Sequence, residues 1–182
     1  MTARILGLGN VLMSDDGFGP YVARVLDAFY DFPPEVEVID AGTPGLDLTP
    51  YLLGADVVIF IDTVKVEGNG GDIHMFQLED ILQHAPQPRL SPHDPGVKEA
   101  LLTVAAAGRG PQHVVMVGVI PEWIATGVEL SPSVRSAIAP VVAVALGELE
   151  RFGLQPRLRP VPRQPDTWWE RHPDDVREPQ PA

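Results

Sequence analysis

Two hydrophobic rhythms alternate along residues 1–154. Short continuous apolar runs fall at 4–8, 57–61 and 114–120. Runs of this length, bounded by Gly, Pro or polar residues, predict buried strands. The run VVIFI at 57–61 has no polar position, the pattern of a central strand covered on both faces. Residues 36–39 predict another strand, and 73–78 alternate as a half-exposed edge strand does. Val22, Val25, Leu26 and Phe29 recur at helical spacing and predict a helix over 19–29, with Ser14, Asp15 or Asp16 as its cap. Helices are also predicted over 46–53, in spite of Pro50, and over 96–107. A last helix is capped by Ser131, has Pro132 at its first position and Gly153 beyond its end, and is kinked or restarted at Pro140.

Strands separated by helices predict an α/β chain, a three-layer α/β/α sandwich around a mostly parallel sheet. The strand at 73–78 starts only about ten residues after the run at 57–61, across the glycine-rich stretch 68–71. That is too short for a helical crossover, so this strand is expected to run antiparallel to its neighbour.

Proline then divides the chain. Seven of its 20 prolines lie among residues 155–182, with five Arg and five acidic residues. A stretch of this kind buries too little apolar surface to offset its ordering entropy. Residues 1–154 are therefore read as one domain, and 155–182 as an extended or disordered tail whose one anchor is Trp168–Trp169. The domain alone holds the net charge of −12, as 8 Lys and Arg against 20 Asp and Glu. Such a field repels phosphate and disfavours nucleic acid and anionic membranes as partners. The chain has no cysteine, which excludes thiolate nucleophiles, disulfides and Cys-based metal centres. No apolar run reaches the roughly 18–20 residues of a membrane span, and the first residues lack a signal-peptide pattern. A soluble, cytoplasmic protein is expected.

In open α/β sheets ligands sit beyond the carboxyl ends of the strands. The segments there carry Asp16, Asp40, Asp62 and His93, which are expected to converge on one rim. Gly7-x-Gly9 lacks the third glycine of a dinucleotide fingerprint, Leu12 standing there, and Asp15-Asp16 would repel a pyrophosphate. A tight turn explains the two glycines but not the two carboxylates. Taken singly, Asp62 reads as a helix cap or turn former and His93 as a solvated loop residue. His74, His84, His113 and His172 have no comparable surroundings. Together, two carboxylates and an imidazole form an oxygen, oxygen, nitrogen set suited to Ni²⁺ or Zn²⁺, with coordination positions left open.

The set as a whole resembles the [NiFe]-hydrogenase maturation endopeptidases. The resemblance runs from LGLGNVLMSDDGFG at 6–19 through DAGTPG at 40–45, VVIFIDTV at 57–64 and SPHDPG at 91–96 to VGVIPE at 117–122 and LSPSV at 130–134. It implies a mixed five-stranded sheet in an α/β/α sandwich. It also implies an enzyme that removes a C-terminal peptide from the hydrogenase large-subunit precursor once nickel has been inserted. By the resemblance, Asp16, Asp62 and His93 contact the metal, and Asp40, Gly42, Thr43 and Gly45 line the substrate cleft, with Asp40 bearing on specificity. Nickel is then presented by the substrate, and zinc or cadmium could take its place. Asp16 is one methylene shorter than the Glu common there in that family, and Asp94 replaces the Gln that commonly follows the histidine. Whether the metal docks the precursor, polarises the scissile carbonyl or leaves Asp16 or Asp62 to act as general base stays open at this level. The rivals are a nickel-binding chaperone, which would release no peptide, and another peptidase of this fold. Peptidyl-tRNA hydrolase shares the opening Gly-Leu-Gly-Asn, but needs a His soon after it, and the first His here is His74.

Overall fold

A computed structural model describes residues 1–44, 48–83 and 94–170. Five strands form one sheet: β1 (Ala3–Leu8), β3 (Val36–Gly42), β4 (Val57–Thr63), β5 (Ile73–Gln77) and β6 (His113–Val119). Their order is β3-β1-β4-β6-β5. The first four run parallel, and β5 runs antiparallel to β6. The short link at 68–71 does force an antiparallel strand, but β5 pairs with β6 and not with β4, which precedes it.

The period of two in each strand sorts the core into two halves. Ile5, Ile59, Ile61, Val115 and Val117 face one side. There they pack against Phe18, Val22 and Leu26 of α1 (Phe18–Phe29), Val134 of α5 (Pro132–Ser136) and Val141, Ala145 and Leu149 of α6 (Ile138–Glu150). Leu6, Leu8, Val58, Phe60, Val114 and Met116 face the other side. They meet Leu52 of α2 (Thr49–Leu52), Ile81 of α3 (Leu78–Gln83) and Val97, Leu101 and Val104 of α4 (Asp94–Ala106). All seven residues of β4 are buried, as an unbroken apolar run in a doubly covered strand requires.

Several local expectations change. Ser14, Asp15 and Asp16 do not cap α1. Ser14–Gly17 forms a turn of 3₁₀ helix, and the residue at the cap of α1 is Gly17, without a side-chain bond. Ser131 does cap α5, accepting from the Val134 amide at 3.4 Å. The helix then breaks at Ala137, and Pro140 falls in the first turn of α6, where no partner is needed for an amide.

The greatest change concerns the tail. Of the two expected forms, extended or disordered, residues 155–167 take the extended one, docked at several points and not only at Trp168–Trp169; Trp168–Glu170 forms a 3₁₀ turn, and 171–182 lie outside the described residues. Strand β7 (Arg157–Leu158) pairs antiparallel with β2 (Tyr30–Asp31), just beyond α1. The Arg159 and Arg163 amides donate to the carbonyls of Phe29 and Ala28, and Arg159 pairs with Asp31 at 2.7 Å. Trp169 is buried edge-on against Tyr21 of α1, while Trp168 is exposed. Arg135 of α5 lies over the Tyr21 ring and binds Glu170 at 2.6 Å. Burial opposes the Arg135 charge, but the Glu170 carboxylate and Tyr21 outweigh it and raise its pKa. The prolines between these contacts lack amides, so the few arginine amides carry the pairing. A contact of this kind leaves no periodic apolar pattern.

Candidate active site

Parallel pairing puts the carboxyl ends of β1, β3 and β4 on one rim. Gly7 is level with Ile61 on one side and Asp40 on the other, so Asp62 lies one residue past the Asp40 level, two strands away. At the usual strand spacing that separates their backbones by roughly 10 Å. Asp62 and Thr63 end β4, and both are fully buried. By alternation Asp62 shares the face of Phe60, towards α4, and Thr63 the face of Ile61, towards α1.

Asp16 comes to this rim on the 3₁₀ turn. The Asn10 amide donates to its Oδ2 at 3.0 Å, and the Thr63 hydroxyl donates to its Oδ1 at 3.3 Å. The Thr63 amide donates to Asp62 Oδ1 at 2.7 Å. Thr63 thus joins the two carboxylates, one through its side chain and one through its backbone. Both carboxylates are buried, Asp16 at 5% exposure and Asp62 at 0%.

Close backbone approach makes this possible. A Cβ on Gly9, which has φ +136°, would stand 1.8 Å from the Asp16 carbonyl oxygen. One on Gly19 would stand 2.2 Å from the Leu8 carbonyl oxygen and 2.3 Å from that of Ile61. The glycines let the turn bearing Asp16 and the start of α1 lie directly on the ends of β1 and β4.

Asp40 stands apart from the pair and is half-buried in a 2.9 Å ion pair with Arg24 of α1. Gly42 closes β3 at φ +59°, its carbonyl accepting from the Gly9 amide, and Thr43 follows it. Of the residues expected at the site, His93 and Gly45 lie outside the described residues, as does the side chain of Asp94. Among the described residues, no three His, Cys, Asp or Glu side chains form a metal-holding group. The carboxylates of Asp16 and Asp62 are buried at this rim, and carboxylate oxygen is the donor type that hard or borderline divalent cations take.

Sequence reasoning missed Thr63, Arg24 and the part played by Asp15. Asp15 is fully buried beside Asp16 but turns to the loop after β6. It accepts from the Glu122 and Trp123 amides at 2.8 and 3.0 Å, from the Ser131 amide at 2.6 Å, and from the Ser131 hydroxyl at 2.9 Å. The doubled aspartate was the visible signal; its partners, more than 100 positions away, were not.

A mixed five-stranded α/β/α sandwich is the architecture of the hydrogenase maturation endopeptidases. The structure of the hydrogenase maturating endopeptidase HybD from Escherichia coli aligns with a TM-score of 0.80 and 28% identity, covering 87% of this chain and 98% of that one. The [NiFe] hydrogenase maturation protease HybD from Thermococcus kodakarensis aligns with a TM-score of 0.66 and 27% identity, covering 80% and 97%. The hydrogenase 2 maturation protease of E. coli K12 is 28% identical over 155 residues, 85% of this chain and 94% of its own length. The HycI family model of hydrogenase maturation proteases matches residues 20–148. The chain belongs to the hydrogenase maturation protease family, and it is an endopeptidase of the hydrolase class.

Proposed function

We propose that the protein removes the C-terminal extension of a [NiFe]-hydrogenase large-subunit precursor after nickel insertion, and that it reads nickel carried by the precursor through Asp16, Asp62 and His93. The observation that carries this reading is the pair of buried carboxylates, Asp16 and Asp62, joined through Thr63 at the end of an otherwise apolar strand. Two carboxylates are buried at one rim, each bonded to Thr63, at a cost in desolvation that packing alone does not require. A cation brought by the substrate offsets that cost. With oxygen donors, one imidazole and no thiolate, the resting affinity for metal is modest, and the substrate's own ligands complete the shell.

In the complex, Asp16 and Asp62 orient the nickel-bearing end of the precursor. Nickel, where bound, supplies positive charge beside the scissile region. The Asn10 amide and the Thr63 hydroxyl hold Asp16 against rotation. One carboxylate of the pair takes a proton from water as the water oxygen bonds to the scissile carbonyl carbon, and returns it to the amide nitrogen as the C–N bond breaks, so the precursor keeps the new carboxylate and the released peptide carries the new amine. The half-buried Arg24–Asp40 pair stands at the edge strand, where its charges bear on which precursor is accepted. No helix among the described residues is long and apolar enough to cross a membrane. The place of action in this reading is the cytoplasm.

Cleavage of nickel-loaded and nickel-free precursor by the same preparation tests the reading. Peptide release is expected only from the loaded form, and Asp62→Asn is expected to abolish it with the fold intact by circular dichroism. Equal cleavage of both forms, or normal release by folded Asp62→Asn, overturns it.

A further inference from the structure

The buried carboxylate of Asp15 is not used by the reaction just described. It lies one residue before Asp16 and ties the 3₁₀ turn to the loop after β6 through the amides of Glu122, Trp123 and Ser131. More bonds close the same seam. The Ser14 amide donates to the Gly127 carbonyl at 2.8 Å, the Gly127 amide donates to the Leu12 carbonyl at 3.0 Å, and the Ser14 hydroxyl donates to the Ala125 carbonyl at 3.0 Å. Ser14 adopts φ +50°, a left-handed conformation that a non-glycine residue holds only when its surroundings impose it. The turn that presents Asp16 and the loop at 121–131 are thereby one rigid piece.

That piece carries exposed apolar surface. Leu12 is 52% exposed, Trp123 46% and Ile124 42%. Asp15 fixes the Trp123 amide, so the backbone that carries this exposed indole is anchored beside the turn bearing Asp16. Exposed large apolar side chains grouped on a rigid support mark a contact surface. The same loop carries exposed Glu122 and Glu129, and the chain has a net charge of −12. Like-charge repulsion therefore disfavours a second copy or an anionic membrane on this face. The remaining occupant is the polypeptide that must lie beside Asp16 during cleavage.

We propose that Leu12, Trp123 and Ile124 form the wall that grips an apolar stretch of the precursor next to the cleavage point, and that Asp15 is the positioning residue that sets this wall against Asp16. The proposal rests on the reading of the chain as the precursor's peptidase. It assigns Trp123 and Ile124 to recognition of polypeptide, separately from recognition of nickel by the carboxylates. Asp15 acts on binding through Trp123, so the effects of the two residues are coupled.

The test is a titration of fluorescently labelled, nickel-loaded precursor, read by anisotropy, with peptide release followed in the same samples. Trp123→Ala, an exposed position whose replacement leaves the core untouched, is expected to weaken binding about tenfold, or about 1.4 kcal/mol. Asp15→Asn keeps the shape but turns an amide group towards the donors, and is expected to weaken binding at least as much. In Asp15→Asn the further change Trp123→Ala is expected to cost less than twofold, a coupling that general destabilisation does not produce. Val161→Ser removes exposed apolar surface on the docked tail and is expected to bind as the parent does. Binding by Trp123→Ala within twofold of the parent overturns the wall, whatever Asp15→Asn does to the fold. Tight binding by the parent without peptide release overturns the peptidase reading while leaving the wall to be judged on the Trp123→Ala affinity. No binding by the parent overturns both.

Discussion

Gly9 and Gly19 differ from Gly147 in what a methyl group would meet, and that difference gives opposite predictions for the same substitution. At Gly19 the added Cβ is driven into the carbonyl oxygens of Leu8 and Ile61 at 2.2 and 2.3 Å, both backbone atoms that cannot yield without moving a strand. Gly19→Ala is expected to destabilise by about 1–3 kcal/mol or more and to reduce peptide release further, because α1 and the turn bearing Asp16 shift together. At Gly147, inside α6, nothing lies within 4 Å of the added Cβ. Gly147→Ala is expected to stabilise by about 0.4–1 kcal/mol with release unchanged. Urea midpoints for the two variants check both signs. In the sequence Gly9 was visible as part of a tight turn and Gly19 as the start of a helix. That they serve contact with Asp16 and Ile61 was not, because those partners come from other segments of the chain.

At the scale of elements, the docked tail is the segment whose structure departs furthest from its composition. The two-residue pairing of β2 with β7 is weak alone. Trp169 against Tyr21 adds burial of roughly 150–250 Å², on the order of 4–6 kcal/mol before ordering costs. The Asp31–Arg159 ion pair joins a mostly buried guanidinium to an exposed carboxylate, and solvent around the carboxylate keeps its contribution small. Deletion from Arg157 onward is therefore expected to lower the melting temperature by more than about 4 °C, equivalent to about 1–2 kcal/mol for a chain of this size. Calorimetry of the truncated protein checks it, and an unchanged melting temperature would mean that ordering entropy cancels the contacts. The central strand shows the opposite case. VVIFI at 57–61 named β4 because a doubly covered strand has only one pattern open to it, whereas α3 and the β2–β7 pair were missed because short elements leave too few positions for a period to show.

For the molecule as a whole, the two core halves share one sheet, so loss of packing on either side loosens both. Phe60 is fully buried on the face towards α2, α3 and α4, while its neighbours Ile59 and Ile61 face α1 and α6. Phe60→Ala is expected to cost about 3–5 kcal/mol. In urea the midpoint should fall with the slope unchanged, which is the mark of a single cooperative unit; two separated transitions would show that the halves unfold independently. By itself the sequence determined the layers, the parallel core, the antiparallel edge strand and the carboxylates at the strand ends. Those follow from local periodicity, short connections and chain direction. Tertiary structure alone decided that Thr63 joins Asp62 to Asp16, that Asp15 holds a loop more than 100 positions away, that Arg24 pairs with Asp40, and that Trp169 lies on Tyr21. Each is a contact between single residues far apart in the chain. Such contacts are fixed by the sum of all packing around them, and no local pattern of hydrophobic and polar positions encodes that sum.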